Sequence, residues 1–181
     1  MIHILDSNNS LVNSYLAQLR DTSVQSDMMR FRRNIERIGE IMAYEISKTF
    51  NYAPQQVVTP LATATVNLPT EKVVLGTILR AGLPLHQGFL NYFDDAHSAF
   101  VSAYRKSSKD GSFKVKVEYI SNCNLEGKTL ILVDPMLATG GSACDAIKRL
   151  KEDGYKSIRL LCLVASPQGV KAVEEQYPDV D

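Results

Sequence analysis

Apolar and polar positions along this chain change period several times. From Asp27 to Thr49, Met28, Phe31, Ile35, Ile38, Ile41, Met42 and Ile46 recur at helical spacing, while Arg30, Arg32, Arg33, Glu36, Arg37 and Glu40 take much of the other face. This predicts a long amphipathic helix. A shorter helix is expected around Leu11 to Leu19. Asn51-Tyr52-Ala53-Pro54 then breaks the pattern, and Val57 to Leu61 and Thr63 to Val66 follow as short β-branched stretches.

Further on, the apolar residues come in unbroken runs. Val73 to Leu79, Thr129 to Val133 and Ser157 to Ala165 read as strands buried on both faces, and Ala99 to Tyr104 as a fourth strand. Helices are expected at Leu83 to Phe93, Gly140 to Lys151 (with Gly154 as its stop) and Pro167 to Glu175. Strands alternating with helices imply an α/β fold, a parallel sheet with helices on both faces. Residues 106–128 differ: they are rich in Lys, Ser, Asp and Gly, with Phe113, Val115, Val117 and Tyr119 alternating, which suggests an exposed β-hairpin or flap. A single domain is expected, with N-terminal helices over 1–52, a core over 53–181 and the flap at about 106–128.

Composition narrows the field. Twenty Lys and Arg balance twenty Asp and Glu, so a general affinity for nucleic acid or an anionic membrane is not expected. No apolar run approaches the ~20 residues that span a bilayer, and the first residues do not read as a signal peptide. Cys123, Cys144 and Cys162 are odd in number and far apart, without a CxxC pair. Reduced thiols in a cytoplasmic protein are the expectation, not a zinc site.

On a parallel sheet, ligands bind beyond the carboxyl ends of the strands. Two segments stand there. In the first, Asp134-Pro135-Met136-Leu137-Ala138-Thr139-Gly140-Gly141-Ser142, a carboxylate directly follows a buried strand, and small residues, hydroxyls and two glycines lead into a helix. Glycines allow close approach of backbone to ligand, and a helix N-terminus suits a phosphate. Thr139 and Ser142 can donate further hydrogen bonds, while Asp134 calls for a hydroxyl, a cation or a metal as its partner. A phosphate beside hydroxyls is a sugar phosphate. The segment lacks the lysine of a Walker A loop, and neither GxGxxG nor GxSxG is present. A plain strand–helix turn remains the structural alternative.

The second segment is Leu79-Arg80-Ala81-Gly82. Its arginine suits phosphate oxygens, or else pairs with a core carboxylate. Tyr104-Arg105 ends another strand with the same two readings. His86 follows the Arg80 segment on a helix face. Cys144 sits in the first turn of the phosphate-binding helix, where its thiol pKa can be lowered, although packing is the plainer role. Lys106, Lys109, Lys114 and Lys116 give the flap a positive field or a solvated face.

Taken in order, ILRAGLPLHQG, SAYRK and DPMLATGGS resemble the uracil phosphoribosyltransferase family, as do Arg30 to Glu45 and VASPQGVKAVEEQYPDVD. The resemblance implies a parallel-sheet phosphoribosyltransferase core, Rossmann-like, with an N-terminal helical region and a flap. It implies transfer of phosphoribosyl from phosphoribosyl diphosphate to uracil, giving UMP; a different base, or a non-catalytic nucleotide-sensing regulator, are the alternatives. Ala138, Thr139, Gly140, Gly141 and Ser142 would hold the 5-phosphate, in a motif that Pro135, Met136 and Leu137 complete. Asp134 would sit by the ribose hydroxyls and C1. Arg80, with the Ala81-Gly82 backbone, and Arg105 would meet the diphosphate; Asp134 and Arg105 are the catalytic candidates. Mg2+ would arrive with the diphosphate, with no direct protein site. GTP activation and a homodimer or higher homo-oligomer are family expectations. Family members continue past the point matching Asp181 with a strand and a uracil-recognising segment resembling YIVPGLGDAGD. Nothing similar occurs in this chain, so the base comes by resemblance alone, and an apolar sheet edge is expected to be exposed.

Overall fold

The computed structural model describes residues 2–107, 113–120, 127–155 and 157–181, with 103–107 and 113–120 as backbone only. Helix α1 (Leu11–Arg20) starts at Ser10, whose side chain accepts from Val12 N. Helix α2 (Met28–Ser47) starts at Asp27, which accepts from Arg30 N. Of the periodic apolar residues of α2, Ile35, Ile38 and Met42 are buried and Phe31, Ile41 and Ile46 partly buried, while Met28 in the first turn is exposed. Gly39 lets α3 (Leu83–Leu90) come close: a Cβ there would lie 2.7 Å from the Leu85 carbonyl oxygen.

The sheet has the order β5-β4-β3-β6-β7. Its strands are β3 (Lys72–Leu79), β4 (His97–Ser107), β5 (Phe113–Ile120), β6 (Lys128–Leu137) and β7 (Ser157–Ala165). β4, β3, β6 and β7 run parallel, and β5 pairs antiparallel to β4. The expected flap therefore begins as an antiparallel extension of β4. Lys109 and Cys123 lie outside the described residues. Helices cover both faces. Leu130, Leu132 and Val74 pack on α4 (Gly141–Glu152) and α5 (Pro167–Gln176), while Ile131, Val133 and Leu75 pack on α1, α2 and α3. The two sets alternate along each strand because successive side chains point to opposite faces.

Two strand expectations need correction. The run Ser157 to Ala165 reads as buried on both faces, yet β7 is an edge strand and Leu160 to Val164 are only partly buried. Its unbroken apolar run reflects helices on both sides of an edge, not neighbouring strands on both sides. Asp181 exchanges backbone hydrogen bonds with Ile158 and Leu160 on this strand. The second correction concerns bounds: β1 (Tyr52–Val58) begins inside Asn51-Tyr52-Ala53-Pro54, expected as a break, and ends at Val58, so Thr59 to Leu61 belong to the turn; with β2 (Thr63–Pro69) it forms an antiparallel two-stranded sheet apart from the main one.

Candidate active site

The parallel register brings both flagged segments to one edge. Thr77 of β3 lies opposite Val133 of β6, and Leu79 opposite Ser102 of β4. Asp134 directly follows Val133, Arg80 follows Leu79, and Arg105 lies three residues beyond Ser102. All three stand at the carboxyl ends of neighbouring strands. The Leu79–Arg80 peptide bond is cis. The Arg105 backbone belongs to β4, opposite Val115.

The Asp134 to Ser142 segment is not all loop. β6 continues to Leu137, with Asp134 opposite Cys162, Met136 opposite Val164 and Leu137 opposite Ala165. Only Ala138 to Gly140 form the turn. Pro135 sits in this strand extension although it has no N–H for a ladder bond, and β-branched content alone does not mark where the strand ends. Gly140 takes φ +82° as the N-cap of α4. A Cβ on it would lie 3.0 Å from Ala172 Cβ and 3.1 Å from the Gly169 carbonyl oxygen, so both conformation and packing demand glycine. Gly141 is different. A Cβ there would find only Thr139 Oγ1, 3.8 Å away. The first turn of α4 thus opens onto free space.

The caps sort the helices into two groups. α1, α2 and α5 each have a side chain bonded to their first-turn N–H groups: Ser10, Asp27 and Ser166. α3 and α4 begin at Gly82 and Gly140 and have no side-chain cap. These two are the helices that start at the two flagged segments. The first-turn N–H groups of α4 stay available; in α3, Leu83 N donates to the Arg80 carbonyl oxygen at 3.3 Å and Pro84 has no N–H, so that helix start offers chiefly its positive dipole end.

Asp134 is half-buried, and its Oδ1 accepts from Met136 N at 3.1 Å. Burial holds its carboxyl above the usual carboxylate range, against the opposing effect of that hydrogen bond. Among the described residues no cation pairs with it. Arg80 is exposed and makes no ion pair among the described residues, which removes the core-carboxylate reading. Gly82 serves packing: a Cβ there would overlap Thr77 Oγ1. Thr77 Oγ1 is buried without a hydrogen-bond partner among the described residues.

Sequence reasoning passed over the residues that hold the turn. Ser166 Oγ donates to the Ala138 carbonyl oxygen, and Ser166 N donates to the Leu137 carbonyl oxygen at 2.9 Å. Gly169 packs against the same carbonyls, with room for no Cβ. The sequence signal was the helix start Ser166-Pro167 followed by Gly169, which reads as a cap and says nothing of what it rests on.

The other candidates resolve into structure. His86 is buried, with Nε2 3.1 Å from Ser98 Oγ and its ring beside Phe100. Burial lowers its pKa. Cys144 is buried, and burial pushes its thiol up, so the helix terminus does not activate it. Cys162 is pushed up further by burial and by Asp134 beside it.

A parallel sheet covered by helices, with two helix starts that lack side-chain caps and a half-buried carboxylate at its carboxyl end, defines an α/β protein of phosphoribosyltransferase type. Solved structures share this fold. An Aquifex aeolicus protein superposes with a TM-score of 0.82 at 26% identity, covering 96% of this chain and 81% of that one. A Pyrococcus horikoshii purine phosphoribosyltransferase superposes with a TM-score of 0.54 at 19% identity, covering 74% of each chain, which speaks for the fold alone. Residues 6–181 match the model of uracil phosphoribosyltransferase. A Porphyromonas gingivalis uracil phosphoribosyltransferase is 49% identical over 180 residues, 99% of this chain and 83% of that protein. One from Desulfitobacterium hafniense is 40% identical over 183 residues, 99% of this chain and 84% of that protein. The chain belongs to the uracil phosphoribosyltransferase family.

Proposed function

We propose that this chain transfers the 5-phosphoribosyl group from phosphoribosyl diphosphate to uracil, giving UMP and diphosphate. One observation supports it most: the two helices without side-chain caps both begin at the sheet edge that carries Asp134 and Arg80. The open start of α4 can take one phosphate on its N–H groups, and the start of α3 with the exposed Arg80 guanidinium can take the second by charge.

In this reading the Ala138–Ser142 turn holds the 5-phosphate on the first-turn N–H groups of α4 and the Thr139 and Ser142 hydroxyls. Asp134 accepts from the ribose hydroxyls, its half-burial keeping the carboxylate poorly solvated and in search of a partner. Arg80, with the Ala81-Gly82 backbone, and Arg105 hold the diphosphate. A lone carboxylate beside hydroxyls is a fitting donor set for Mg2+ that enters on its substrate. When bound, Mg2+ would supply countercharge to the diphosphate, with Asp134 near it. At C1 the bond to the diphosphate oxygen breaks and its electron pair leaves with the diphosphate. Uracil N1 bonds to C1 from the opposite face and loses its proton. The chain positions the reactants, balances charge and excludes water.

The test is direct: magnesium, phosphoribosyl diphosphate and labelled uracil should give labelled UMP, and absence of turnover with any base would sink the reading. Three proposals accompany it: a cytoplasmic place of work, self-association into a homodimer or larger homo-oligomer, and activation by GTP. Light scattering checks the second, and initial rates with and without GTP the third. Among the described residues no helix is long and apolar enough to cross a membrane.

A further inference from the structure

β3 lies inside the sheet, bonded to β4 on one side and β6 on the other. Residues 73–78 of it are buried, and Thr77 is the polar side chain among them, fully out of solvent. Val73 and Leu75 pack on the side of α2 and α3, and alternation along the strand puts Thr77 on that side as well. Gly82, where α3 begins, rests on its hydroxyl: a Cβ there would overlap Thr77 Oγ1 and lie 2.8 Å from the Ile78 carbonyl oxygen.

The Thr77 hydroxyl has no hydrogen-bond partner among the described residues. A buried hydroxyl without a partner destabilises the state in which it lacks one. A valine would fill nearly the same space without that cost. The start of α3 above the hydroxyl is loosely held. Gly82 N donates to the Ile78 carbonyl oxygen at 3.2 Å and Leu83 N to the Arg80 carbonyl oxygen at 3.3 Å, both longer than the usual value of about 2.9–3.0 Å. One turn on, His86 N donates to the Gly82 carbonyl oxygen at 2.9 Å. His86 Nδ1 is a second buried atom without a partner among the described residues. The seat of α3 on the sheet therefore leaves hydrogen-bonding capacity unused in two places, next to a first turn that closes loosely.

The same segment presents Arg80 and Ala81 to solvent, and Arg80 makes no ion pair among the described residues. An anion on it would meet a backbone that can still gain a bond underneath. We infer that Thr77 is a positioning residue for the diphosphate: with diphosphate on Arg80 and the Ala81-Gly82 backbone, the segment settles onto β3 and the Thr77 hydroxyl gains the hydrogen bond it lacks in the free chain. The Gly82 amide is the donor at hand, since Gly82 rests on the hydroxyl and its bond to Ile78 is long. A ligand shifts an arrangement only by what it gains in one state over the other. Here the gain includes this bond, so the hydroxyl serves binding rather than folding. The inference rests on the diphosphate reading proposed above and adds a residue beneath the segment that touches the ligand.

Thr77→Ser and Thr77→Ala both lose the methyl group and differ only in the hydroxyl, so their comparison isolates it. The full chain is titrated calorimetrically with inorganic diphosphate and Mg2+, and melting curves are taken without ligand. Thr77→Ser should bind diphosphate about 2- to 12-fold more tightly than Thr77→Ala, the worth of one hydrogen bond, and should melt no higher than it in the absence of ligand. If Thr77→Ala melts clearly below Thr77→Ser without ligand, the hydroxyl is bonded in the free chain and the inference is overturned. Equal affinities of the two variants, with wild-type binding intact and weakened by Arg80→Ala, also overturn it and leave the diphosphate site standing without Thr77. A wild type that binds no diphosphate, or binds it as well after Arg80→Ala, overturns the diphosphate reading and this inference with it.

Discussion

Ser166 Oγ, the cap of α5, also donates to the carbonyl oxygen of Ala138 in the turn before α4. One hydroxyl thus ties the start of the last helix to the turn before α4. Ser166→Ala should cost about 0.5–2 kcal/mol through the lost cap, read as a lower melting temperature. It should also raise KM for phosphoribosyl diphosphate more than for uracil, because the turn loses a bond that sets its shape. Equal changes in the two KM values would separate the clamp from the phosphate site.

Gly140 and Gly141 are adjacent but answer to different demands. Gly140 has a positive φ and no room for a Cβ, so Gly140→Ala should lose about 1–3 kcal/mol. Gly141 faces open space, so Gly141→Ala should stay within about 0.5 kcal/mol of the wild type. Its methyl group would nevertheless stand where the 5-phosphate is proposed to bind, and KM for phosphoribosyl diphosphate should rise. Melting curves and initial rates on both variants check the contrast; a Gly141→Ala enzyme with unchanged KM would place the phosphate elsewhere.

Asp134 is held above the usual carboxylate range by burial. A carboxyl whose folded pKa exceeds its unfolded value binds more proton when folded, so this group's ionisation erodes stability as pH rises from the ordinary carboxylate range through its raised value. Asp134→Asn removes that loss and keeps an oxygen to accept from Met136 N. The variant should melt higher than the wild type at neutral pH and match it in strong acid. Its turnover should fall by on the order of 10² or more. A variant that is both less stable and fully active would contradict both assignments.

Arg80 is exposed and lacks an ion pair among the described residues, so folding makes little use of it. Arg80→Ala should leave the melting temperature within the error of measurement and lower kcat/KM by on the order of 10²–10³. Differential scanning calorimetry beside a steady-state assay decides it, and a large loss of stability would return Arg80 to a structural role.

Much of this molecule was legible as pattern. The period of Ile35, Ile38 and Met42 located α2, the apolar run at Val73 located β3, and Gly140-Gly141 after Asp134 marked a turn into a helix. Local backbone preference and burial produce such signals within a few residues, so a chain displays them before it folds. The spelling from Asp134 to Ser142 also carried the resemblance to the family to which the chain belongs. Other features arise only from contacts across distance. Which strand lies at the edge depends on sheet order, and so β7 read as fully buried although Leu160 to Val164 are only partly so. Ser166 and Gly169 matter because α5 returns to the turn some thirty positions after it began, a meeting no local period encodes. The hairpin from Tyr52 to Pro69 shows the limit most plainly. Its residues announced two strands, but only the tertiary structure decided that they would pair with each other apart from the main sheet, because sheet membership depends on contacts far along the chain.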